Sequence, residues 1–260
     1  MELTIYQVDA FAHQVFQGNP AAIIPLQNWL PDELLQSIAA ENNLSETAYF
    51  IDHGDYLHLR WFTPAKEVRL CGHATLASAH VLFQHLDSKN DQLRFKTLGG
   101  ELLVKKEPGK YVMDFPFDPP KTAAPLPLME QALDVRVLDT VRGLDDILVR
   151  IGTEAELMTL QPNQGLVAQL PARGLIVTAP GTHTDIASRC FYPAFGIDED
   201  PVTGSAHTLL VPYWAKLLGK NDITAVQGGT RQGQLSCALR GERVELGGTA
   251  QTYLIGKIFI

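Results

Sequence analysis

Four short stretches carry the side chains able to move a proton or hold an anion. The first is Asn43-Leu44-Ser45-Glu46-Thr47-Ala48-Tyr49-Phe50. If it runs as a strand, the two-residue period puts Glu46 on the face shared by Leu44, Ala48 and Phe50. That makes it an inward carboxylate, suited to take a proton at one carbon and return it at another; the plain alternative is an edge-strand glutamate facing water, or a capping residue. The second and third stretches, Cys71-Gly72-His73-Ala74 and Thr203-Gly204-Ser205-Ala206, each open an uncharged apolar run: no Asp, Glu, Lys or Arg occurs from Cys71 to Leu86 or from Thr203 to Ala215. A helix with no charged face is buried on all sides. Its first N–H groups still need partners, and a leading glycine lets another group come close to the backbone. Two such starts offer amide donors and positive dipole ends to a carboxylate or an enolate oxygen. The fourth stretch, Glu199-Asp200-Pro201, places Asp200 just before the second glycine, as His73 stands just after the first. Taken singly, His73 reads as a structural histidine and Asp200 as a turn-former. Their matched placement makes them candidates to hold a substrate's polar group and to relay a proton.

The elements that must position these residues come in duplicate. Arg60-Trp61-Phe62-Thr63-Pro64-Ala65 returns as Arg189-Cys190-Phe191-Tyr192-Pro193-Ala194, and Lys89-Asn90-Asp91 returns as Lys220-Asn221-Asp222. A glycine-led helix follows each hexapeptide, so the 260 residues divide into two halves that share one plan. Prolines at 116, 119, 120, 125 and 127 bar regular helix or interior strand from Phe115 to Leu128 and mark the crossing. The expected domains are 1–117 and 118–260, with a last strand, 252–260, that could join either half. The first half reads as short strands at Leu3–Ala10, Ala21–Pro25, Tyr56–Phe62, Leu93–Thr97, Glu101–Lys105 and Tyr111–Phe115, with a surface helix from Pro31 to Asn43. In the second, Ile147–Ile151 and Leu175–Thr178 read as strands and Glu154–Leu160 as a short helix. Gln234–Leu239 and Arg243–Leu246 read as a hairpin closed at Gly241-Glu242.

Bulk properties exclude several classes. A formal charge of −8 and no basic run argue against nucleic acid, whose phosphates need clustered cations. The start lacks the basic and apolar regions of a signal peptide, and no apolar stretch approaches the ~20 residues of a membrane span. The expectation is therefore a soluble, cytoplasmic protein with no membrane partner. Cys71, Cys190 and Cys237 show neither an even framework nor metal-ligand spacing, so no disulfide, no metal and no cofactor is expected. Walker, Gly-x-Gly-x-x-Gly and Gly-x-Ser-x-Gly elements are absent. Asn19, in Phe16-Gln17-Gly18-Asn19-Pro20, looks like an ordinary turn residue, and His80 and His207 read as structural.

Phe16–Pro20, Leu44–Ala48, Leu70-Cys71-Gly72-His73-Ala74-Thr75 and Glu199–His207 together resemble the PhzF-like, phenazine biosynthesis-like family over nearly the full length. The resemblance implies an α+β, diaminopimelate epimerase-like fold. In it, two pseudo-symmetric domains each wrap a mostly antiparallel sheet around a central apolar helix, with a cleft between them. It also implies a homodimer and a cofactor-independent isomerase acting on a small carboxylate-bearing substrate in a biosynthetic process. The best-known activity of the family is isomerisation of trans-2,3-dihydro-3-hydroxyanthranilate. By the same resemblance the catalytic glutamate falls on Glu46, its supporting histidine and aspartate on His73 and Asp200, and substrate contacts on Ser45, Gly72, Gly204 and Ser205. Related epimerases use a thiol at each helix start. Here the first position is Cys71 but the second is Thr203, too weak an acid for that role, so a two-thiol mechanism is broken. Two rivals remain: a racemase or epimerase using Cys71 with a non-thiol partner, and a non-catalytic protein that binds a small carboxylate.

Overall fold

Strand and helix boundaries follow burial closely along the chain, and the computed structural model describes all residues, Met1–Ile260. In chain order the first elements are β1 (Glu2–Ala10), β2 (Asn19–Leu26), α1 (Asp32–Asn42), β3 (Glu46–Asp52), β4 (Leu57–Phe62), β5 (Glu67–Val68), α2 (Gly72–Gln84), β6 (Gln92–Thr97), β7 (Gly100–Glu107) and β8 (Lys110–Pro116). There follow β9 (Lys121–Thr122), α3 (Pro127–Leu133), β10 (Asp139–Arg142), β11 (Ile147–Arg150), α4 (Glu154–Thr159), α5 (Gln164–Val167), β12 (Leu175–Pro180), β13 (Ile186–Tyr192) and β14 (Ile197–Asp200). The chain ends with α6 (Gly204–Leu218), β15 (Asp222–Gln227), β16 (Gly233–Arg240), β17 (Arg243–Gly248) and β18 (Ala250–Phe259). Contacts divide the chain into a first unit, Met1–Asp114 with Gly247–Ile260, and a second, Phe115–Leu246. The final strand pairs antiparallel with β1, from Glu2↔Phe259 to Ala10↔Ala250.

Each unit repeats one order of pairing. In the first, β1 and β2 are antiparallel, β2 and β3 parallel, β3 and β4 antiparallel, and β4 and β6 parallel. In the second, β10 and β11 are antiparallel, β11 and β12 parallel, β12 and β13 antiparallel, and β13 and β15 parallel. The short strands β5 and β14 lie antiparallel on β4 and β13, immediately ahead of α2 and α6.

The two uncharged runs, which form all of α2 and all but the last turn of α6, are buried as their composition requires. Every residue of α2 from Gly72 to Phe83 is buried, and α6 is buried at Gly204, Ala206, His207 and Leu209–Ala215. Hydroxyls inside α2 satisfy themselves on the preceding turn: Thr75 Oγ1 donates to Cys71 O at 2.6 Å and Ser78 Oγ to Ala74 O at 2.7 Å. Helix α6 stops at Gly219, whose φ of +66° suits a residue with no Cβ. Helix α1 has acidic residues in its first turn and covers β3 and β4 with Leu35, Ile38 and Ala39, in a core shared with Ile24, Tyr49, Ile51 and Phe62. The second unit has its own core, built around Met129, Leu133, Val149, Leu157, Val177 and Phe191. No helix is long and apolar enough to cross a membrane.

Two expectations are corrected. The proline-rich stretch contains the start of a helix, because Pro127 occupies the first position of α3, where its missing N–H costs nothing. Residue 46 begins β3 rather than lying within a strand: α1 runs to Asn42, Asn43 caps it in the left-handed region, and only then does the strand start. Alternation does not select the inward face of β3 either, since Thr47, Ala48, Tyr49 and Phe50 are all buried. A strand flanked by β2 and β4 and covered on both sides loses the two-residue signal.

Candidate active site

In the first unit three elements converge. The start of β3 carries Glu46, the start of α2 carries Cys71 and His73, and the start of β2 carries Asn19. His73 Nε2 lies 3.1 Å from Glu46 Oε2, with the side chains 5% and 14% exposed. Both atoms are buried and neither makes an aligned hydrogen bond to any protein group, so the contact is an ion pair with spare donor and acceptor capacity. On the other side of the ring, Nδ1 meets Asn19 Nδ2 at 3.3 Å and Cys71 Sγ at 3.5 Å. Asn19 is oriented in turn by Ser45, whose Oγ donates to Asn19 Oδ1 at 3.2 Å. With its carbonyl so engaged, Asn19 presents its NH2 to Nδ1, and in the neutral ring this leaves the proton on Nε2, facing Glu46.

The electrostatics follow from this packing. Burial opposes a charge on His73, but Cys71 and the Glu46 carboxylate favour it, and the net effect holds the imidazole well above its ordinary range. Burial, and then the Glu46 charge, push the Cys71 thiol up to about 11. A thiol titrating there is neutral at pH 7, which leaves the Glu46 carboxylate as the remaining group that favours a charge on the ring. Glu46, Cys71 and His73 each offer one donor atom within 4.8 Å of the others, a spacing that would also admit a metal ion. As they stand, they form a proton-bearing pair beside a thiol that stays protonated.

The second unit holds the remaining candidates. Asp200 ends β14 opposite Cys190 of β13, and its Oδ2 accepts a hydrogen bond from Thr203 Oγ1 at 2.5 Å. Gln227 braces this corner: its Nε2 donates to Asp200 O at 2.9 Å and its Oε1 accepts from Thr203 N at 2.9 Å. Neither helix start has a side-chain cap, for Cys71 and Thr203 both precede their helices in extended conformation and their side chains bond no N–H of the first turn. Gly72 and Gly204 are buried at these starts. Ser205 Oγ accepts from Arg173 Nη2 at 3.0 Å, and Arg173 is itself held by Asp146 through Nε at 2.9 Å and Nη2 at 2.5 Å. His207 donates from Nδ1 to Thr203 O, 2.9 Å away, and burial lowers its pKa to about 4. His80 is lowered to about 4 by burial and then by His85, and it bonds Tyr111 and Thr252. Both histidines are neutral packing residues.

The structure thus gathers Glu46, His73, Ser45 and Gly72 in the first unit and Asp200, Gly204 and Ser205 in the second. Sequence reasoning undervalued Asn19, which is fully buried and orients His73; its position just before a proline reads as a turn. Arg173, Asp146, Tyr192 and Gln227 gave no sequence signal, because each stands in a different strand or loop and they meet only through the sheet.

Comparison with known proteins agrees with this architecture. The family model of the phenazine biosynthesis-like protein matches residues 8–256. An uncharacterized isomerase of Pseudomonas aeruginosa is 51% identical over 261 residues, covering 100% of both chains. A crystal structure of a PhzF-family phenazine biosynthesis protein of Enterococcus faecalis superposes with a TM-score of 0.97 at 42% identity, covering 100% of each chain. A hydroxyproline epimerase of Agrobacterium vitis, 10% identical, covers 99% of this chain and 92% of its own with a TM-score of 0.58, a likeness of fold alone.

Proposed function

We propose, for a chain that belongs to the phenazine biosynthesis-like family and is an isomerase of the diaminopimelate epimerase-like fold, that Glu46 moves a proton between two carbons of a small carboxylate-bearing metabolite without a cofactor. The observation that carries this reading is the buried Glu46–His73 pair, whose facing atoms have no other partner. Glu46 is the acid/base that meets the substrate carbon. His73, whose charge Cys71 and the carboxylate both favour, stabilises the base while it is charged. Asn19, held by Ser45, meets Nδ1 of the neutral ring, and in the charged ring Nδ1–H has Cys71 Sγ at 3.5 Å as its acceptor.

The helix start at Gly72, in the unit that holds Glu46, supplies amide donors for the negative charge that develops as the C–H bond breaks, and Gly204 and Ser205 are assigned to substrate binding. Asp200, held by Thr203, is assigned to the substrate's amino or hydroxyl group. The protein is taken to work as a homodimer, which sedimentation velocity tests directly.

The racemase alternative would need Cys71 as a thiolate, and a thiol at about 11 is a poor base at neutral pH. The test is deuterium incorporation. Wild-type protein in D2O should place deuterium on carbon in a small carboxylate substrate, and Glu46→Gln should not. Loss of exchange in Cys71→Ala with retention in Glu46→Gln would overturn the assignment in favour of the racemase. Binding without exchange at any carbon would identify a non-catalytic binding protein.

A further inference from the structure

The pairing registers align the two units residue by residue. Strands β3 and β4 meet at Thr47↔Phe62, and β12 and β13 meet at Leu175↔Phe191. Phe62 and Phe191 are the same member of the repeated hexapeptide. Thr47 therefore corresponds to Leu175, and one and two steps back Glu46 corresponds to Gly174 and Ser45 to Arg173. Gly72-His73 and Gly204-Ser205 open the matching helices, so His73 corresponds to Ser205.

The two units thus set different chemistry against the matching second residue of α2 and of α6. In the first, Glu46 faces His73 at 3.1 Å. In the second, Arg173 donates from Nη2 to Ser205 Oγ at 3.0 Å. A second carboxylate at Gly174 is sterically barred, because a Cβ there would meet ring carbons of Tyr192 at 2.1 and 2.3 Å. The arginine is rigidly built. Asp146, whose side chain is 5% exposed, grips it in two parallel hydrogen bonds, its own N–H donates to Asp145 O at 2.7 Å, and its guanidinium carbon lies 5.3 Å from the centre of the Tyr192 ring. About a third of its side chain is still exposed.

Two observations point to a ligand here. Ser205 Oγ accepts from a group that can only donate, and its own proton goes to no protein acceptor, so the hydroxyl is primed to donate outward. Tyr192, 6% exposed, has a buried hydroxyl that meets no nitrogen or oxygen partner and has only the Cys190 thiol beside it.

We propose that Arg173, locked by Asp146 and coupled to Ser205 at the start of α6, is a specificity-determining cation that makes the second unit select a carboxylate-bearing ligand, one residue ahead of the position where the first unit carries its proton-transferring glutamate. Ser205 donates to the carboxylate and Arg173 supplies the compensating charge. The substrate class rests on the isomerase reading, but the role itself is one of binding, and binding tests it.

The experiment titrates 15N-labelled full-length protein with acetate and benzoate, each against its neutral counterpart, acetamide or benzamide, and follows the Ser205 amide and the Arg173 Nε–H resonances. In the wild type the acids should bind at least about tenfold tighter than the amides, as a charge-assisted contact requires. Arg173→Gln leaves Asp146 buried and unpaired and is liable to unfold locally. The decisive variant is therefore Arg173→Gln with Asp146→Asn, which removes both charges and should abolish the preference for acids. Arg173→Lys should keep part of it. Equal or absent binding of acids and amides in the wild type, or a preference that survives in the double variant, overturns the proposal. If the preference is present and no substrate exchanges a carbon-bound proton, the isomerase reading fails while this one stands.

Discussion

His73 and Glu46 approach to 3.1 Å through atoms that have no other partner, in a pocket of the first unit where a thiol, an amide and a serine hydroxyl surround the rest of the ring. After Cys71, the carboxylate is the group that favours a charge on the imidazole against its burial. Replacing Glu46 with glutamine should lower the His73 pKa, which a 1H NMR pH titration of the His73 ring protons reads directly. It should also reduce proton exchange by at least about 100-fold, the scale of a lost general acid/base. An unchanged titration would mean that some other group charges the ring.

The same pair gives a pH dependence of stability with a definite sign. His73 is raised above its unfolded value of about 6.5, so the folded state binds the extra proton, and stability falls as pH rises. Its contribution is complete below pH 6.5 and is lost as pH climbs through the raised folded value. Urea midpoints at pH 6 and pH 9 should differ more for the wild type than for His73→Gln.

His207 produces the opposite slope. Burial holds it near pKa 4, so between about 6.5 and 4 the unfolded chain takes up a proton that the fold refuses, and stability drops as pH falls through that window. His207→Gln can keep a bond to Thr203 O and should flatten the acid limb of the stability curve without changing the limb above pH 7. Midpoints measured from pH 7 to pH 4 check this.

Cys71 should prove dispensable to the proposed chemistry. With its thiol at about 11 it is neither a base nor a fast nucleophile at pH 8, so iodoacetamide should label the native protein slowly and Cys71→Ala should keep exchange within about tenfold of the wild type. Mass spectrometry of the labelled protein and the deuterium assay give the two readings.

The duplication was legible because Arg60–Ala65 and Arg189–Ala194 lie at matching ends of β4 and β13, and because α2 carries no charge and α6 none before Lys216 in its last turn. What escaped was whatever the sheet assembles across loops. Strand β13 is buried at every position and has no alternation to read, and β9 is too short to signal at all. Phe62 and Phe191 are 129 positions apart, yet Thr47 and Leu175 are 128 apart and Gly72 and Gly204 132. Loops of unequal length shift the repeat from element to element, so the correspondence of Arg173 with Ser45 exists only once the strand register is known. The adjacency of His73 and Cys71 was visible in their spacing. That Asn19 would orient the imidazole was not, since a buried asparagine and a turn asparagine look alike before a proline.

The repeated arginine provides a comparison within one chain. Arg60 pairs with Glu67 and the exposed Asp32 and lies 5.1 Å from the Trp29 and Phe62 ring centres. Its counterpart Arg189 is 7% exposed, pairs with Glu199 through Nε at 2.9 Å and Nη2 at 2.6 Å, and also donates from Nη1 to the carbonyls of Leu157 and Leu160 at 3.1 and 2.9 Å. Glu199 and Glu67 are exposed to a similar degree, 25% and 22%, but removing Arg189 also strands two helix-end carbonyls, for which Arg60 has no counterpart. Arg189→Ala should therefore cost about 3–5 kcal/mol, as for breaking a buried pair, and Arg60→Ala roughly 1–3 kcal/mol, as for a bond to a charged group. Urea unfolding of the two variants at pH 7 ranks them; equal losses would mean that the carbonyl bonds of Arg189 add nothing to the ion pair that both units share.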